Sequence, residues 1–327
     1  MQIRRAQQTR CAGLQSDVVA LTAGDANPDP LGRGRDLPGA SLGEVIAALE
    51  TRYDPALAES WDAVGLVCGD PEETVRSVLF AVDPTSAVVD EALGTGVDLI
   101  VTHHPLLLTP VHGVPATDPK GRLVHRLVRA GVALHTAHTN ADRAAGHGVN
   151  DALAAVLGLV DPVPLQPAAM PGTGLGRVGQ LPTPVTLREF AELAAAVLPA
   201  TAAGVRVTGD PGRLVRTVAV CGGSGGSLVD AAAAAGADVL LTSDLKHHPA
   251  SDAGESGGPA LCDVPHYASE WPWLPVAADL LGRDLAGRVT VAVAACRTDP
   301  WTLHVASSGD DARGASAGVV GGAAPRG

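Results

Sequence analysis

Hydrophobic and polar positions alternate along this chain in a way that predicts short buried strands separated by helices. Apolar runs lie at 77–82 and 98–102, and an apolar stripe with helical spacing lies between them at 86–93. Short apolar runs that end at glycine, proline or polar residues are typical of strands buried on both faces. The three segments therefore predict a βαβ unit, in which the two strands run parallel.

The same pattern returns in the second half of the chain. Predicted strands at 217–221 and 238–242 flank a predicted helix at 227–235, and an offset of 140 residues brings Asp98 onto Asp238 without gaps. Two βαβ units rich in alanine and valine can agree by chance. The coincidence of Asp, Gly and Thr at matching positions favours internal duplication instead.

Two adjacent histidines end one of the predicted strands. The apolar run at 97–102 stops at His103-His104, and Pro105 follows directly. Open α/β sheets bind their ligands at the carboxyl ends of the strands. Consecutive residues on an extended strand point to opposite faces. Both imidazoles are therefore ligands only if the backbone turns there or if they contact different metal ions.

A second pair of segments offers further metal ligands. His138 and Asp142, like His266 and Glu270, are spaced as His-x-x-x-carboxylate, and each pair follows a short apolar run. Imidazole and carboxylate are the usual ligands of zinc, iron, manganese and similar ions. More side chains are present than one tetrahedral ion needs, which predicts two ions. For each carboxylate alone, a role at a helix N-terminus is the alternative. The predicted ligands are His103, His104, Asp142, His266 and Glu270.

Two further segments are candidates for substrate contact. Residues 221–227 form a glycine-rich connection between a strand and a helix, whose N–H groups near Ser224 and Gly225 could hold an anion. A tight turn without a ligand is the alternative. The last strand of the second repeat precedes Lys246 and His248, which suit substrate contact and proton transfer respectively.

Composition narrows the class of protein. The formal net charge of −12 argues against a nucleic-acid backbone or an anionic membrane surface as partner. No apolar stretch has the length of a membrane span, and no signal-peptide pattern is recognisable. The cysteine count of 5 is odd and includes no C-x-x-C pair, which favours a reducing compartment. We therefore expect a cytoplasmic protein.

Glycine- and proline-rich stretches set the expected boundaries. Residues 162–171 are interpreted as a linker between two α/β domains. Each domain is expected to hold a sheet flanked by helices. The expected divisions are a disordered extension at 1–38, a first domain at 39–165, a second domain at 166–306 and a disordered tail at 307–327.

Six motifs occur in one order along the chain. They are Glu59-Ser60-Trp61-Asp62-x-Val64-Gly65-Leu66, Thr102-His103-His104-Pro105, His138-Thr139-Asn140-x-Asp142, Cys221-Gly222-Gly223-Ser224-Gly225, Asp244-Leu245-Lys246-x-His248 and His266-x-x-Ser269-Glu270. Together they resemble the Nif-three-like family, whose members are often labelled GTP cyclohydrolase 1 type 2 homologs. His247 stands where that family often has tyrosine.

The resemblance implies two similar α/β domains, each a mixed sheet flanked by helices, with a dinuclear metal site in the cleft between them. It also implies a homohexameric toroid built as a trimer of dimers. It places the metal ligands on the same five residues, with Glu270 as the bridge. It also implies that His138 lines the site. This chain is the short form, without the domain that some members insert between the halves.

We therefore expect a metal-dependent hydrolase with two divalent ions, such as zinc, iron or manganese. Its substrate would be a small nucleotide-like or heterocyclic molecule that could carry phosphate. The expected catalytic residues are His248 and His138, and the expected substrate-binding residues are Ser224, Gly225 and Lys246. The alternatives are a non-catalytic metal chaperone, insertion or storage factor, and a scaffold for other proteins.

Overall fold

The computed structural model describes residues 36–306. The expectations for the N-terminal extension up to residue 35 and for the tail from residue 307 lie outside these residues. Strands β1 to β13 are, in order, Ala40–Ser41, Gly65–Cys68, Thr74–Val75, Ser77–Ala81, Leu99–Thr102, Ala133–Thr136, Val160–Pro167, Gly174–Thr186, Arg206–Val207, Leu214–Val220, Val239–Thr242, Ala260–Asp263 and Thr290–Val293. Helices α1 to α10 are Leu42–Arg52, Ser86–Thr95, Pro119–Ala130, Thr139–Arg143, Val149–Val156, Leu187–Val197, Val229–Ala234, His247–Glu255, His266–Glu270 and Trp273–Asp284.

The first large sheet has the strand order β13-β4-β5-β6-β2. Its first four strands run parallel, and β2 pairs antiparallel with β6. The predicted βαβ unit corresponds to β4, α2 and β5. Thr85 caps the start of α2, and Gly96 ends it in the left-handed conformation with φ 69°. Local signals therefore predicted this unit closely.

The second large sheet has the order β7-β8-β10-β11-β12-β9. Strands β10, β11 and β12 run parallel, whereas β7, β8 and β9 pair antiparallel with their neighbours. Each of β4, β5, β10 and β11 leads into a helix. The fold is therefore α/β with mixed sheets, as the sequence predicted.

The two sheets share an order of strands and a set of local contacts. Three parallel strands and an antiparallel edge strand follow one another as β4-β5-β6-β2 and as β10-β11-β12-β9. Asp98 and Asp238 each accept hydrogen bonds from two consecutive backbone N–H groups before or within the neighbouring strand. Gly96 and Gly236 end their helical turns with φ 69° and 68°. Residues 140 positions apart thus make the same local hydrogen bonds or adopt the same backbone conformation.

The segment at 162–171, expected to be a linker, is largely a strand. Residues 160–167 form β7, which pairs antiparallel with β8. β7 lies at the edge of its sheet, where the missing N–H of a proline removes no ladder hydrogen bond on the outer side. The prolines therefore marked an edge strand rather than an unstructured connection.

After the second sheet the chain returns to the first. Trp273 and Leu274 of α10 are buried in one apolar cluster with Phe80 and Val101, and β13 pairs with β4. No pattern in the sequence predicted this return. The boundaries at 39–165 and 166–306 stay a prediction, to which the structure adds that Thr290–Val293 belongs to the first sheet.

The structure also bears on membrane-spanning helices and on cysteine pairing. Within 36–306, no helix has both the length and the apolar character needed to cross a bilayer. The cysteines of this part of the chain are unpaired: Cys68, Cys221, Cys262 and Cys296.

Candidate metal centre

Polar side chains converge where strands of both sheets end. His103 and His104 follow β5, and Asp142 lies in α4, which comes after the neighbouring strand β6. His266 and Glu270 lie in α9, which comes after β12 of the other sheet. Because the carboxyl ends of adjacent parallel strands share one edge of a sheet, the first three side chains are neighbours. The structure thus brings together all five predicted ligands.

The adjacent residues His103 and His104 both reach the cluster because the chain turns after β5. Their N–H groups still donate to Ala81 O at 3.1 Å and Val82 O at 2.9 Å. The hydroxyl of Thr102 donates to His104 O at 2.8 Å and closes the turn. The two rings then lie with centroids 4.9 Å apart. A turn here is one of the two conditions under which both imidazoles can be ligands.

His103 is fully buried, and one of its ring nitrogens has no hydrogen-bond partner. Its Nδ1–H donates to Ala137 O at 3.0 Å. Its Nε2 lies 3.6 Å from Asp142 Oδ1 and 3.5 Å from Glu270 Oε1, and neither Nε2 nor that Asp142 oxygen makes a hydrogen bond. Buried polar atoms left unpaired cost free energy. A cation between them would satisfy both, so these residues fit a metal ion.

Glu270 lies between two further imidazoles. Its Oε2 lies 3.1 Å from His104 Nε2, and its Oε1 lies 2.9 Å from His266 Nε2. The glutamate is only 3% exposed. A buried carboxylate whose two oxygens face different imidazoles has the placement that a bridging ligand needs.

An oxygen acceptor orients each imidazole through Nδ1. His104 donates to Asp83 at 2.7 Å, His138 to Asp62 at 2.8 Å and His266 to Asp244 at 2.7 Å, in addition to the bond from His103 to a carbonyl. The other nitrogen, Nε2, is then left for the cluster. Metal-binding histidines in proteins characteristically have this arrangement.

Sequence reasoning missed the role of these three aspartates. Asp62 and Asp244 stand out in the sequence only as members of motifs. Asp83 follows β4 and was not singled out. The usable signal was that Asp83, like His103, comes just after a strand of the first sheet.

Three-residue groups within the cluster have the spacing of a metal site. Ligand atoms of His103, His104 and His138 lie within 4.8 Å of one another, as do those of His104, His266 and Glu270. The described residues therefore include groups of N and O donors that could bind a metal ion. His138, predicted to be catalytic, belongs to the first group.

Charges within the cluster stabilise one another. Burial would raise the pKa of Glu270, but the neighbouring His104 and His103 outweigh it and hold that pKa well below its usual value. Burial would lower the pKa of His104 and His266, but Glu270, together with Asp83 at His104 and Asp244 at His266, outweighs it and raises these pKa values to about 11 and about 9. Burial raises the pKa of Asp142. Positive charge is therefore favoured at the centre of the cluster.

The fold and the motifs can now be compared with known proteins. A family model described as Duf34/NIF3 (NGG1p interacting factor 3) matches residues 40–300. The chain belongs to the Duf34/NIF3 family. This confirms the resemblance that the six motifs indicated.

Relatives of this family member carry two kinds of name. A Streptomyces coelicolor protein named GTP cyclohydrolase 1 type 2 homolog is 52% identical over 277 residues, covering 82% of this chain and 95% of that protein. NIF3-like protein 1 of Drosophila melanogaster is 31% identical over 268 residues, covering 80% and 89%.

Solved structures share the NIF3 fold. A Bacillus cereus protein related to NIF3 matches with a TM-score of 0.76 at 25% identity, over 81% of this chain and 99% of that one. Reduced HcgD from Methanocaldococcus jannaschii matches with a TM-score of 0.66 at 29% identity, over 80% and 100%.

The glycine-rich connection of this NIF3 member packs directly on the cluster. A Cβ atom at Gly223, whose φ is +66°, would lie 2.4 Å from Glu270 Oε1 and 3.0 Å from His266 Nε2. Glycine is needed here for both space and conformation. The N–H of Gly223 donates to Ser269 Oγ and that of Gly225 to Thr242 Oγ1, at 2.9 and 2.8 Å. These two donors are already engaged, and anion binding by this segment stays a prediction.

The remaining predicted site residues lie outside the cluster. Ser224, Lys246 and His248 are exposed, and the His248 ring packs edge-on against His247 with centroids 5.1 Å apart. Within the described part of the chain, no hydrogen bond joins Lys246 or His248 to the cluster. Their roles stay predictions.

A cavity of about 840 Å³ opens beside the cluster. Its lining includes His104, His266, Arg206 and the aromatic side chains of Tyr267 and Trp301. This volume falls within the usual range for small-molecule sites. Another cavity, of about 540 Å³, lies against β7, β8 and β10, away from every ligand of the cluster.

Proposed function

We propose that this NIF3 member binds two divalent metal ions and is a metal-dependent hydrolase of a nucleotide-like or heterocyclic small molecule. One observation carries the proposal: every imidazole of the cluster uses Nδ1 on an oxygen acceptor, which leaves Nε2 available for an ion. The family's GTP cyclohydrolase label supports the reaction class.

The proposed ligands come from both sheets. The central position of Glu270 supports its role as the bridge between two ions. Divalent ions held here would act as Lewis acids and would lower the pKa of bound water. The ligands are His103, His104, Asp142, His266 and Glu270.

The proposal includes the origin of the site. We infer that the two sheets arose by internal duplication and that the centre occupies the cleft between two α/β domains. The shared strand order supports duplication. The contribution of ligands from α4 after β6 and from α9 after β12 supports the cleft.

The cavity supports a small-molecule substrate. The rings of Tyr267 and Trp301 offer surfaces for a planar heterocycle, and Arg206 offers a positive charge for an anionic group. His138 and His248 are the proposed proton-transfer groups, with Ser224, Gly225 and Lys246 as proposed substrate contacts. The resemblance also supports a homohexamer built as a trimer of dimers, and the unpaired cysteines of the described part of the chain support a cytoplasmic location.

A metal chaperone or storage factor is the second candidate, and the accessibility of His266 favours it. The His266 side chain is 34% exposed beside the cavity, whereas that of His103 is fully buried. An ion bound at His266 could therefore exchange with solvent more readily than one bound at His103. Ready release of an ion is what a chaperone requires.

Elemental analysis of natively purified protein tests the centre. We expect two ions per chain in the wild type and a loss of metal in His103→Ala and Glu270→Ala. His112→Ala, which changes an exposed histidine outside the cluster, should keep full stoichiometry. Full stoichiometry in both cluster variants would overturn the assignment.

Mass spectrometry of small-molecule products separates the two functions. Conversion of GTP or a related nucleotide by the wild type, lost in Glu270→Ala, supports the hydrolase. Rapid transfer of the ions to a chelator, without any conversion, supports the chaperone.

A further inference from the structure

The segment that follows β13 runs from the first sheet to the metal cluster. Glu91 of α2 accepts hydrogen bonds from Ala295 N at 2.8 Å and Cys296 N at 3.0 Å. Arg297 Nη1 donates to Ala200 O at 2.7 Å. The segment is therefore fixed on both sides, just before Thr298.

Thr298 contacts the aspartate that orients His104. Its hydroxyl donates to Asp83 Oδ2, while the other carboxylate oxygen, Oδ1, accepts from His104 Nδ1 at 2.7 Å. The Asp83 side chain is 27% exposed. Without a second partner, such a carboxylate would be free to rotate toward water. The threonine hydroxyl supplies that partner and fixes which oxygen faces the imidazole.

The same arrangement occurs at another imidazole of the cluster. The hydroxyl of Thr139 donates to Asp62 Oδ2, and Asp62 Oδ1 accepts from His138 Nδ1 at 2.8 Å. Thr139 directly follows His138, so the threonine and the imidazole that it supports are adjacent in sequence, although Asp62 lies 77 residues away. Thr298 lies more than 190 residues from His104, so its contact exists only because the chain returns to the first sheet.

We propose that Thr298 is a positioning residue of the metal centre: its hydroxyl holds Asp83, and Asp83 holds His104. This proposal rests on the proposed metal-binding function. His104 belongs to both three-residue groups of ligands, so its orientation affects both. The centre is thus completed by a segment near the end of the described chain and not by strand ends alone.

Metal titration of hydroxyl variants tests this role. Thr298→Val keeps the shape of the side chain and removes the hydroxyl. We expect it to bind Mn²⁺ or Zn²⁺ up to about 10-fold more weakly, the lower end of the loss seen when a ligand loses its supporting partner outright, because Asp83 itself remains. Thr298→Ser restores the hydroxyl and should recover near wild-type affinity. Isothermal titration calorimetry of metal-free protein measures both.

Thr290→Val is the matched control. Thr290 begins β13, and its hydroxyl donates to Arg76 O at 3.3 Å rather than to Asp83. It should bind metal as the wild type does. Equal affinities in the wild type and Thr298→Val would overturn the proposal. An equal loss in Thr290→Val would also overturn it, because the effect would then be general to this part of the chain.

A spectroscopic measurement reports on the orientation of His104 without metal. In protein with ¹⁵N-labelled histidine, the Nδ1–H proton of His104 should give a low-field, slowly exchanging signal that Thr298→Val loses and Thr298→Ser keeps. The corresponding signal of His138 should persist in every variant. If Thr298→Val does not fold, Thr298→Ala takes its place.

The two measurements separate the proposals. Wild-type protein that takes up no metal would overturn the metal-binding function, while the His104 signal would still show whether Thr298 orients that ring. An unchanged His104 signal in Thr298→Val would overturn the positioning role even if metal binds.

Discussion

The proposed metal centre requires glycine at position 223. Its backbone lies so close to Glu270 and His266 that a methyl group would overlap the carboxylate. Gly236 has almost the same backbone conformation, with φ +68°, but nothing lies within 4 Å of its absent Cβ. Substitutions at these two positions therefore separate the cost of the left-handed backbone conformation from the effect of steric overlap.

Gly223→Ala should lose metal binding, and Gly236→Ala should retain it. Both substitutions place a side chain in the left-handed region, which costs about 1–2 kcal/mol of unfolding free energy. Elemental analysis and denaturant unfolding measure the two effects. Normal metal content in Gly223→Ala would show that Glu270 is not confined as the structure indicates.

The buried residue His135 makes the stability of the folded chain depend on pH. It lies in β6, is 2% exposed, and burial lowers its pKa to about 4. In the unfolded chain the His135 imidazole takes up a proton near pH 6.5, whereas in the folded chain it does so only near pH 4. The contribution to stability is therefore full above about pH 6.5 and falls as the pH drops toward 4.

His135→Gln should flatten this pH dependence. The wild type should lose up to about 3 kcal/mol more unfolding free energy than the variant between pH 7 and pH 4. Urea unfolding at several pH values measures the difference. Parallel pH profiles for the two proteins would contradict the assigned cause.

At the scale of elements, buried polar side chains join the segments around the centre. Asn150 of α5 is fully buried. Its Nδ2 donates to Asp142 O at 2.9 Å, and its Oδ1 accepts from Gly222 N at 2.9 Å. One amide thus connects α4, which carries a proposed ligand, with the glycine-rich connection of the second sheet.

Arg177 joins β8 to α5. It is 1% exposed, and its guanidinium donates to both oxygens of Asp151, at 2.5 and 3.0 Å, and to Ala144 O at 2.5 Å. Arg177→Met would leave Asp151 Oδ1 and Ala144 O without partners and should cost about 3–5 kcal/mol of unfolding free energy. Arg188→Met, at an exposed position of α6, should change it by less than about 0.5 kcal/mol. Denaturant unfolding distinguishes them, and equal stabilities would contradict the role of Arg177.

At the scale of the whole molecule, the segment that returns to the first sheet packs against both its core and the candidate metal centre. Trp273 of α10 is fully buried, and its ring lies 5.4 Å from Tyr53, 6.1 Å from Phe80 and 5.5 Å from His103 between centroids. The helix therefore packs both on the core of the first sheet and on a proposed ligand.

Trp273→Ala should lower the unfolding free energy by about 3–5 kcal/mol, because it leaves a large cavity in a packed core. Trp301→Ala is the control, since that side chain is 66% exposed and should have little effect on stability. Thermal unfolding compares the two variants. A loss of stability in Trp301→Ala as large as in Trp273→Ala would contradict this account.

The sequence by itself determined the local part of this protein. Each βαβ unit, the histidine pair after β5 and the two His-x-x-x-carboxylate segments were predictable, because apolar periodicity, caps and turn residues act over a few positions. The five predicted ligands were recognisable for the same reason, because His103 and His104 directly follow a predicted strand and the other three belong to short segments that come after one. That they meet in one cluster depends on how the two sheets pack.

Tertiary structure alone decided which distant groups meet. The contacts of Asp83 with Thr298, of Asp62 with His138 and of Trp273 with His103 join positions far apart in the chain. No periodicity encodes such pairs. They depend on how strands order into sheets and on where the chain returns, which is set by the burial of whole faces rather than by neighbouring residues. The linker expected at 162–171 became the edge strand β7 because of the sheet beside it, which the proline pattern could not show.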